Sequence, residues 1–264
     1  MRIFTVDTFA DQLFAGNPTA VCLLDSGWPP TEWLQRLASE LNLPASAFVY
    51  RTGANTALRW FSPRSELELC GSGTLAAAHI LWEVGDCSET LLFTTAGGLL
   101  GAQREPGERI TLDFPSDNLR PVSAPPGLAA MLGVTPLAVW RGRLDLLAEL
   151  DGAQSVAVLK PDLEALAELD ARGVIVTARG DADVDFVSRF FAPAAGINED
   201  PVAASAHCSL GAFWSTILGK QTLTGSQLSA RGGRVEVRLR DDRVNLTGQA
   251  VTVIRGALAI QRAT

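Results

Sequence analysis

The chain repeats itself at half its length, and this repeat limits its possible folds more than any other feature. Arg59-Trp60-Phe61-Ser62-Pro63 returns as Arg189-Phe190-Phe191-Ala192-Pro193. Each copy leads through a polar turn into a long apolar segment. The first runs Cys70-Gly71-Ser72-Gly73-Thr74 into LAAAHILWEVG; the second runs Glu199-Asp200-Pro201-Val202-Ala203-Ala204-Ser205 into AHCSLGAFWSTILG. Ala96-Gly97-Gly98 answers Arg231-Gly232-Gly233, and RITLDF from Arg109 answers RVNLTG from Arg243. So long a unit indicates a two-fold duplication and not a solenoid, whose units are about 20–50 residues. The 264 residues then divide into two domains, predicted at 1–117 and 118–264, each of ordinary single-core size. The linker is the run Pro115 to Pro126, which holds four prolines.

A helix that is apolar on all sides must be enclosed on all sides. Short strands flank both apolar segments, beginning with RIFTVDTF, where Ile3, Thr5 and Asp7 alternate with Phe4, Val6 and Thr8. The expected fold is therefore α+β: two similar domains, each a β-barrel-like curved sheet around a central apolar helix. Gly16-Asn17-Pro18 reads as a turn. TEWLQRLASELN reads as a helix capped by Thr31 and ended by Pro44. The first apolar helix is expected from Ser72 to Val84. The last strand, about 252–264, has no counterpart in mid-chain and is expected to return to the first domain.

Composition narrows the function. Charged residues make up 19% and the net charge is −7. With no basic run, neither nucleic acid nor an anionic membrane surface is an expected partner. The N-terminus lacks a signal-peptide layout, and no apolar stretch reaches the roughly 20 residues of a membrane span. A reduced, cytoplasmic protein is the expectation. Cys22, Cys70, Cys87 and Cys208 form no CxxC pair, so neither a zinc site nor a disulfide framework is expected. Cys22, Cys87 and Cys208 read as small core hydrophobes. His79 and His207, inside apolar helices, read as hydrogen-bonded core residues. No P-loop or dinucleotide fingerprint is present, and no cofactor or metal is called for.

The two helix starts carry the chemistry. The first amides of a helix point outward with partial positive charge and receive anions. Gly71 and Gly73 would let a ligand approach the backbone, and Ser72 adds a hydroxyl. Asp200 reads as an N-cap with Pro201 at the first helical position, leaving Ala203, Ala204 and Ser205 as an open first turn. Cys70 lies at a helix start, where a thiol pKa tends to fall.

These segments resemble the phenazine-biosynthesis PhzF-like family, which has the diaminopimelate epimerase fold. The resemblance runs almost end to end. It rests on VDTFADQLFAGNPTAVCLLD, LASELNLPASAFVYR, LRWFSPRSELELCGSGTLAAAHIL and GINEDPVAASAHCSLGAFW. It implies an active site in the cleft between the two domains, and a homodimer. It also shows departures. The family's acid/base glutamate of its SET motif falls on Ala45, its CGHAT histidine on Ser72, and the TG of its VTGSAH on Ala203-Ala204. Asp200 and Ser205 match, with the backbone at Gly71. Related epimerases use a cysteine at each helix start; Cys70 matches the first, and Ala203 stands at the second. Glu40, one helical turn ahead of Ala45, is expected on the surface. Two functions follow. One is a cofactor-independent isomerase-type enzyme acting on a small carboxylic acid, with Asp200 as acid/base, Cys70 as a possible second base, and Gly71, Ser72, Gly73, Ala204 and Ser205 binding the substrate. The other is a ligand-binding protein that kept this fold and lost the chemistry.

Overall fold

The computed structural model describes residues 1–53, 55–86, 88–181 and 183–259. Cys87 and the end of the chain from residue 260 lie outside the described residues, and with them the core reading of Cys87.

The first half runs β1 (Arg2–Thr8), β2 (Asn17–Leu24), α1 (Thr31–Leu41), β3 (Ala45–Thr52), β4 (Asn55–Phe61), β5 (Glu66–Leu67), α2 (Gly71–Glu83), β6 (Thr90–Thr95), β7 (Gly98–Glu105) and β8 (Arg109–Pro115). After β9 (Arg120–Val122) and α3 (Leu128–Leu132), the order recurs. It runs β10 (Ala138–Arg141), β11 (Leu146–Glu149), α4 (Ala153–Ala157), α5 (Leu163–Ala167), β12 (Val174–Arg179), β13 (Phe186–Ala192), β14 (Ile197–Asp200), α6 (Ala204–Leu218), β15 (Thr222–Gln227), β16 (Gly233–Arg240) and β17 (Arg243–Gly248). β18 (Ala250–Ala257) closes the described chain.

Strand pairing repeats step for step. β1–β2 is antiparallel, β2–β3 parallel, β3–β4 antiparallel and β4–β6 parallel. The same senses recur in β10–β11, β11–β12, β12–β13 and β13–β15. Each curved sheet wraps one apolar helix. α2 is buried on all sides, from Gly71 to Ala78 and at Ile80, Leu81 and Trp82, against β1, β2, β3, β7, β8 and β18. α6 packs on β15, β16 and β17. β8 pairs with β17 and joins the two sheets. Among the described residues no helix is long and apolar enough to cross a membrane.

The final strand does have a counterpart in mid-chain. β18 pairs with β1, as β9 pairs with β10, both antiparallel. β9 was hidden inside the proline-rich run, because Pro121 is compatible with a strand at a sheet edge. Each of these strands lies against the first strand of one repeat, β18 on β1 and β9 on β10.

The repeated Arg-aromatic-Phe motif has a structural role. Arg59 donates from Nε and Nη2 to the two carboxylate oxygens of Glu66, each at 2.7 Å. Arg189 does the same to Glu199 at 2.7 and 2.9 Å. Each guanidinium lies over the phenylalanine two residues on, Phe61 or Phe191. The motif thus clamps β4 to β5 and β13 to β14.

The expected caps differ. Thr31 is the first helical residue and makes no cap bond; its hydroxyl accepts from Arg59 Nη2 at 3.0 Å instead. That helix ends at Leu41 because Asn42 takes the left-handed conformation, with φ of 50°. α6 begins at Ala204, not at Pro201. Asp200 is held in the sheet opposite Phe190 and makes no cap bond to α6; its carboxylate accepts instead from the Val202 N–H ahead of that helix.

Candidate functional site

The starts of α2 and α6 meet at the junction of the two halves. A methyl added at Gly71 would overlap the Ala204 Cβ, and one at Gly73 would overlap the Trp60 ring. The missing side chains thus serve close packing of helix on helix and helix on sheet, and Gly71 also lines the adjoining cavity. Beside this contact lies a cavity of about 70 Å³. Ala45, Cys70, Gly71, Ser72, Asp200, Ala204 and Ser205 all line it, together with Pro44, Leu67 and Arg172. Gly73 stands behind Cys70, against Trp60.

Asp200 is the ionisable centre of the cleft. Burial pushes its carboxyl up to about 6, against the Val202 backbone N–H and the Arg172 charge, which favour the anion. Asn17 Nδ2 donates to Asp200 Oδ1 at 2.8 Å and to the Val202 carbonyl at 3.0 Å. The Gln227 carboxamide spans the same turn, donating to the Asp200 carbonyl at 2.6 Å and accepting from Ala203 N–H at 3.0 Å. These bonds fix the carboxylate without helix capping.

Cys70 behaves opposite to the helix-terminus expectation. Its Sγ accepts from Gly73 N–H at 3.3 Å and lies 3.4 Å from Ser72 Oγ, so the side chain caps α2. Burial nevertheless pushes the thiol up to about 11, outweighing both hydrogen bonds; the Asp200 charge acts in the same direction as burial. Cys70 is a protonated thiol at neutral pH.

Ser205 Oγ accepts from Arg172 Nη2 at 2.9 Å. Arg172 also grips the buried Asp145 bidentately through Nε and Nη2 and stacks over Phe190, 5.3 Å from the ring centroid. Sequence reasoning missed Arg172, Asn17 and Gln227. Asn17 had a visible signal, lying in GNPTAV, but read as a turn residue; it opens β2 and is buried. Arg172 and Gln227 are isolated polar residues with no pattern around them.

The remaining expectations are readily placed. Glu40 is exposed on α1, outside the cleft. His207 is buried and bonded through Nδ1 to the Ala203 carbonyl at 2.9 Å, and burial pulls its pKa down to about 4. His79 meets Thr252 Oγ1 at 3.0 Å. Cys22 and Cys208 are buried free thiols, as read.

Residues 6–256 match the family model described as phenazine biosynthesis-like protein. An uncharacterized isomerase of Halalkalibacterium halodurans is 45% identical, over 98% of each chain. A crystal structure of a PhzF-family phenazine biosynthesis protein from Enterococcus faecalis is 40% identical and superposes with a TM-score of 0.93, over 98% of this chain and 99% of its own. A hydroxyproline epimerase from Agrobacterium vitis, 14% identical, shares the fold at a TM-score of 0.64, over 97% of this chain and 91% of its own.

Proposed function

The chain belongs to the phenazine biosynthesis-like family, and from that premise we propose that it is an isomerase that moves a proton on a small carboxylic acid in the cleft between its two helix starts, without a cofactor. The observation that carries this reading is Asp200. It is a half-buried carboxyl raised to about 6 by desolvation, with one oxygen held by Asn17. A group near neutrality can both take and return a proton. The substrate carboxylate is received by the α2 and α6 amides, with Ser72 and Ser205 as hydroxyl partners. The name of the 45% identical relative supports the same class of reaction.

Asp200 works alone in this reading. Ala45 presents a methyl where the family places a glutamate, and Cys70 holds its proton too tightly to act as a base near pH 7. One base returns the proton to the face from which it took it, so the reading favours a shift along the substrate over inversion of a stereocentre. Homodimer formation is part of the same proposal, checked by light scattering for twice the chain mass.

The test is proton exchange in deuterium oxide, followed by NMR over amino acids, hydroxy acids and cyclic carboxylates. Exchange at carbon in the wild type and its loss in Asp200→Asn is the expected result; undiminished exchange in the variant refutes the role. Ala45 also favours a second reading, a silent binder, which predicts saturable ligand broadening with no exchange.

A further inference from the structure

Beyond the cleft lies a second cavity of about 220 Å³. Leu69, Arg172 and Ser205 line both cavities and form the wall between them. The second cavity holds two carboxylates, and their oxygens are already engaged. Asp145 accepts from Arg172 at both oxygens. Asp117 accepts from Ser209 Oγ at 2.6 Å and from the Arg143 backbone N–H at 3.0 Å.

Its cations are not used up in the same way. Arg172 spends Nε and Nη2 on Asp145 and Ser205, and Nη1 has no partner among the described residues. The Arg143 guanidinium, exposed at the rim, likewise makes no hydrogen bond or ion pair among the described residues. Burial pushes the Cys208 thiol on the cavity wall up to about 12; the Asp117 charge adds to this, and Arg172, Arg143 and Arg243 oppose it. The cavity thus offers guanidinium N–H groups that have no partner among the described residues, beside two carboxylates that are already paired, a pattern that binds a further carboxylate.

We propose that the second cavity is a subsite for a second carboxylate, held by Arg172 Nη1 and Arg143, so that the substrate is a small diacid reaching past Ser205. This rests on the isomerase reading for the first carboxylate and specifies its substrate class. Arg143 sets the preference for a dianion. Arg172, already paired with Asp145, positions the ligand at the wall.

The test is calorimetric titration of the whole protein with succinate, glutarate and adipate, each beside its monomethyl ester. At least one diacid is expected to bind about tenfold more tightly than its ester, the scale of one charge-assisted contact at a partly solvated site. Arg143→Gln should remove that advantage, bringing diacid and ester to comparable affinity. The variant keeps the backbone N–H that holds Asp117. The advantage should also shrink with added salt. Saturable binding by none of the three diacids, equal binding of acid and ester, or an advantage that survives Arg143→Gln overturns the subsite. Turnover is read separately. Diacid binding with an Arg143-dependent advantage, but carbon exchange with no acid of this panel or of the exchange panel, defeats the isomerase reading and keeps the subsite; exchange with monoacids while acid and ester bind equally does the reverse.

Discussion

Replacing Asn17 with Ala tests whether Asp200 is tuned or merely housed. The substitution removes the 2.8 Å bond to Asp200 Oδ1 and the 3.0 Å bond to the Val202 carbonyl. A hydrogen bond to a charged group contributes about 1.5–3 kcal/mol, and one pKa unit corresponds to about 1.36 kcal/mol. Loss of the donor disfavours the carboxylate, so the Asp200 pKa should rise by about one to two units from its value of about 6. If Asp200 takes the proton as a carboxylate, the exchange rate climbs with pH through that pKa. The rising limb is therefore expected near pH 6 in the wild type and near pH 7–8 in Asn17→Ala, by about the same one to two units. The assay is deuterium incorporation at substrate carbon from pH 4.5 to 9, with a thermal melt confirming the folded state at each pH. A uniform loss of rate with the limb unmoved would show that Asn17 only supports the turn. An unmoved limb at full rate would show that Asp200 does not gate the reaction.

Three further outcomes follow from the same geometry. The Asp200 pKa lies about two units above its ordinary 3.8; the folded state binds this proton more tightly, so stability falls as pH rises from about 4 to 6, and Asp200→Asn should stabilise the protein by up to about 3 kcal/mol at pH 7.5 but not at pH 4, read by denaturant titration. Gly71→Ala should destabilise by about 1–3 kcal/mol through overlap with Ala204, and Gly71→Ala combined with Ala204→Gly should recover most of the loss; simple additivity in the double variant would refute the contact. Arg59→Ala should cost about 1 kcal/mol, whereas Arg189→Ala should cost about 3 kcal/mol, because Arg189 is the more buried and also donates to the Leu159 carbonyl at 2.7 Å; equal costs in chemical denaturation would contradict this.

The fold was legible because duplication and all-round apolarity are long-range patterns that single residues do not disturb. The details that failed were local rules overruled by neighbours. Asp-Pro suggests a cap, but pairing of β14 with Phe190 kept Asp200 in the sheet. A helix start lowers a thiol pKa, but full burial of Cys70 raised it further. The invisible part of the site is made of contacts between distant segments: Asn17 reaches Asp200 from the opposite end of the chain, and Arg172 reaches Ser205 from a turn with no motif.

Superposing the repeat on the registers shows how a symmetric scaffold yields an asymmetric site. Trp60 faces Leu67 as Phe190 faces Asp200; Asp200 therefore stands where the first half has a leucine, and both line the cleft. Gly71 and Ala204 open the two helices, so Ser72 and Ser205 are counterparts, whereas Cys70 faces Ala203 across the repeat. Ser46 pairs with Phe61 as Val174 pairs with Phe191. Stepping back along each strand makes Arg172 the counterpart of Pro44 and Gly173 that of Ala45. The serines are the shared element. The raised carboxyl of the cleft and its guanidinium both come from the second half, and the first half contributes a neutral thiol, a proline and a methyl. Chemistry that needs two opposed bases requires both halves to keep an ionisable group. In this cleft the charged side chains, Asp200 and Arg172, both belong to the second half, the arrangement on which the proposed single-base shift and the recognition of charge beside Arg172 rest.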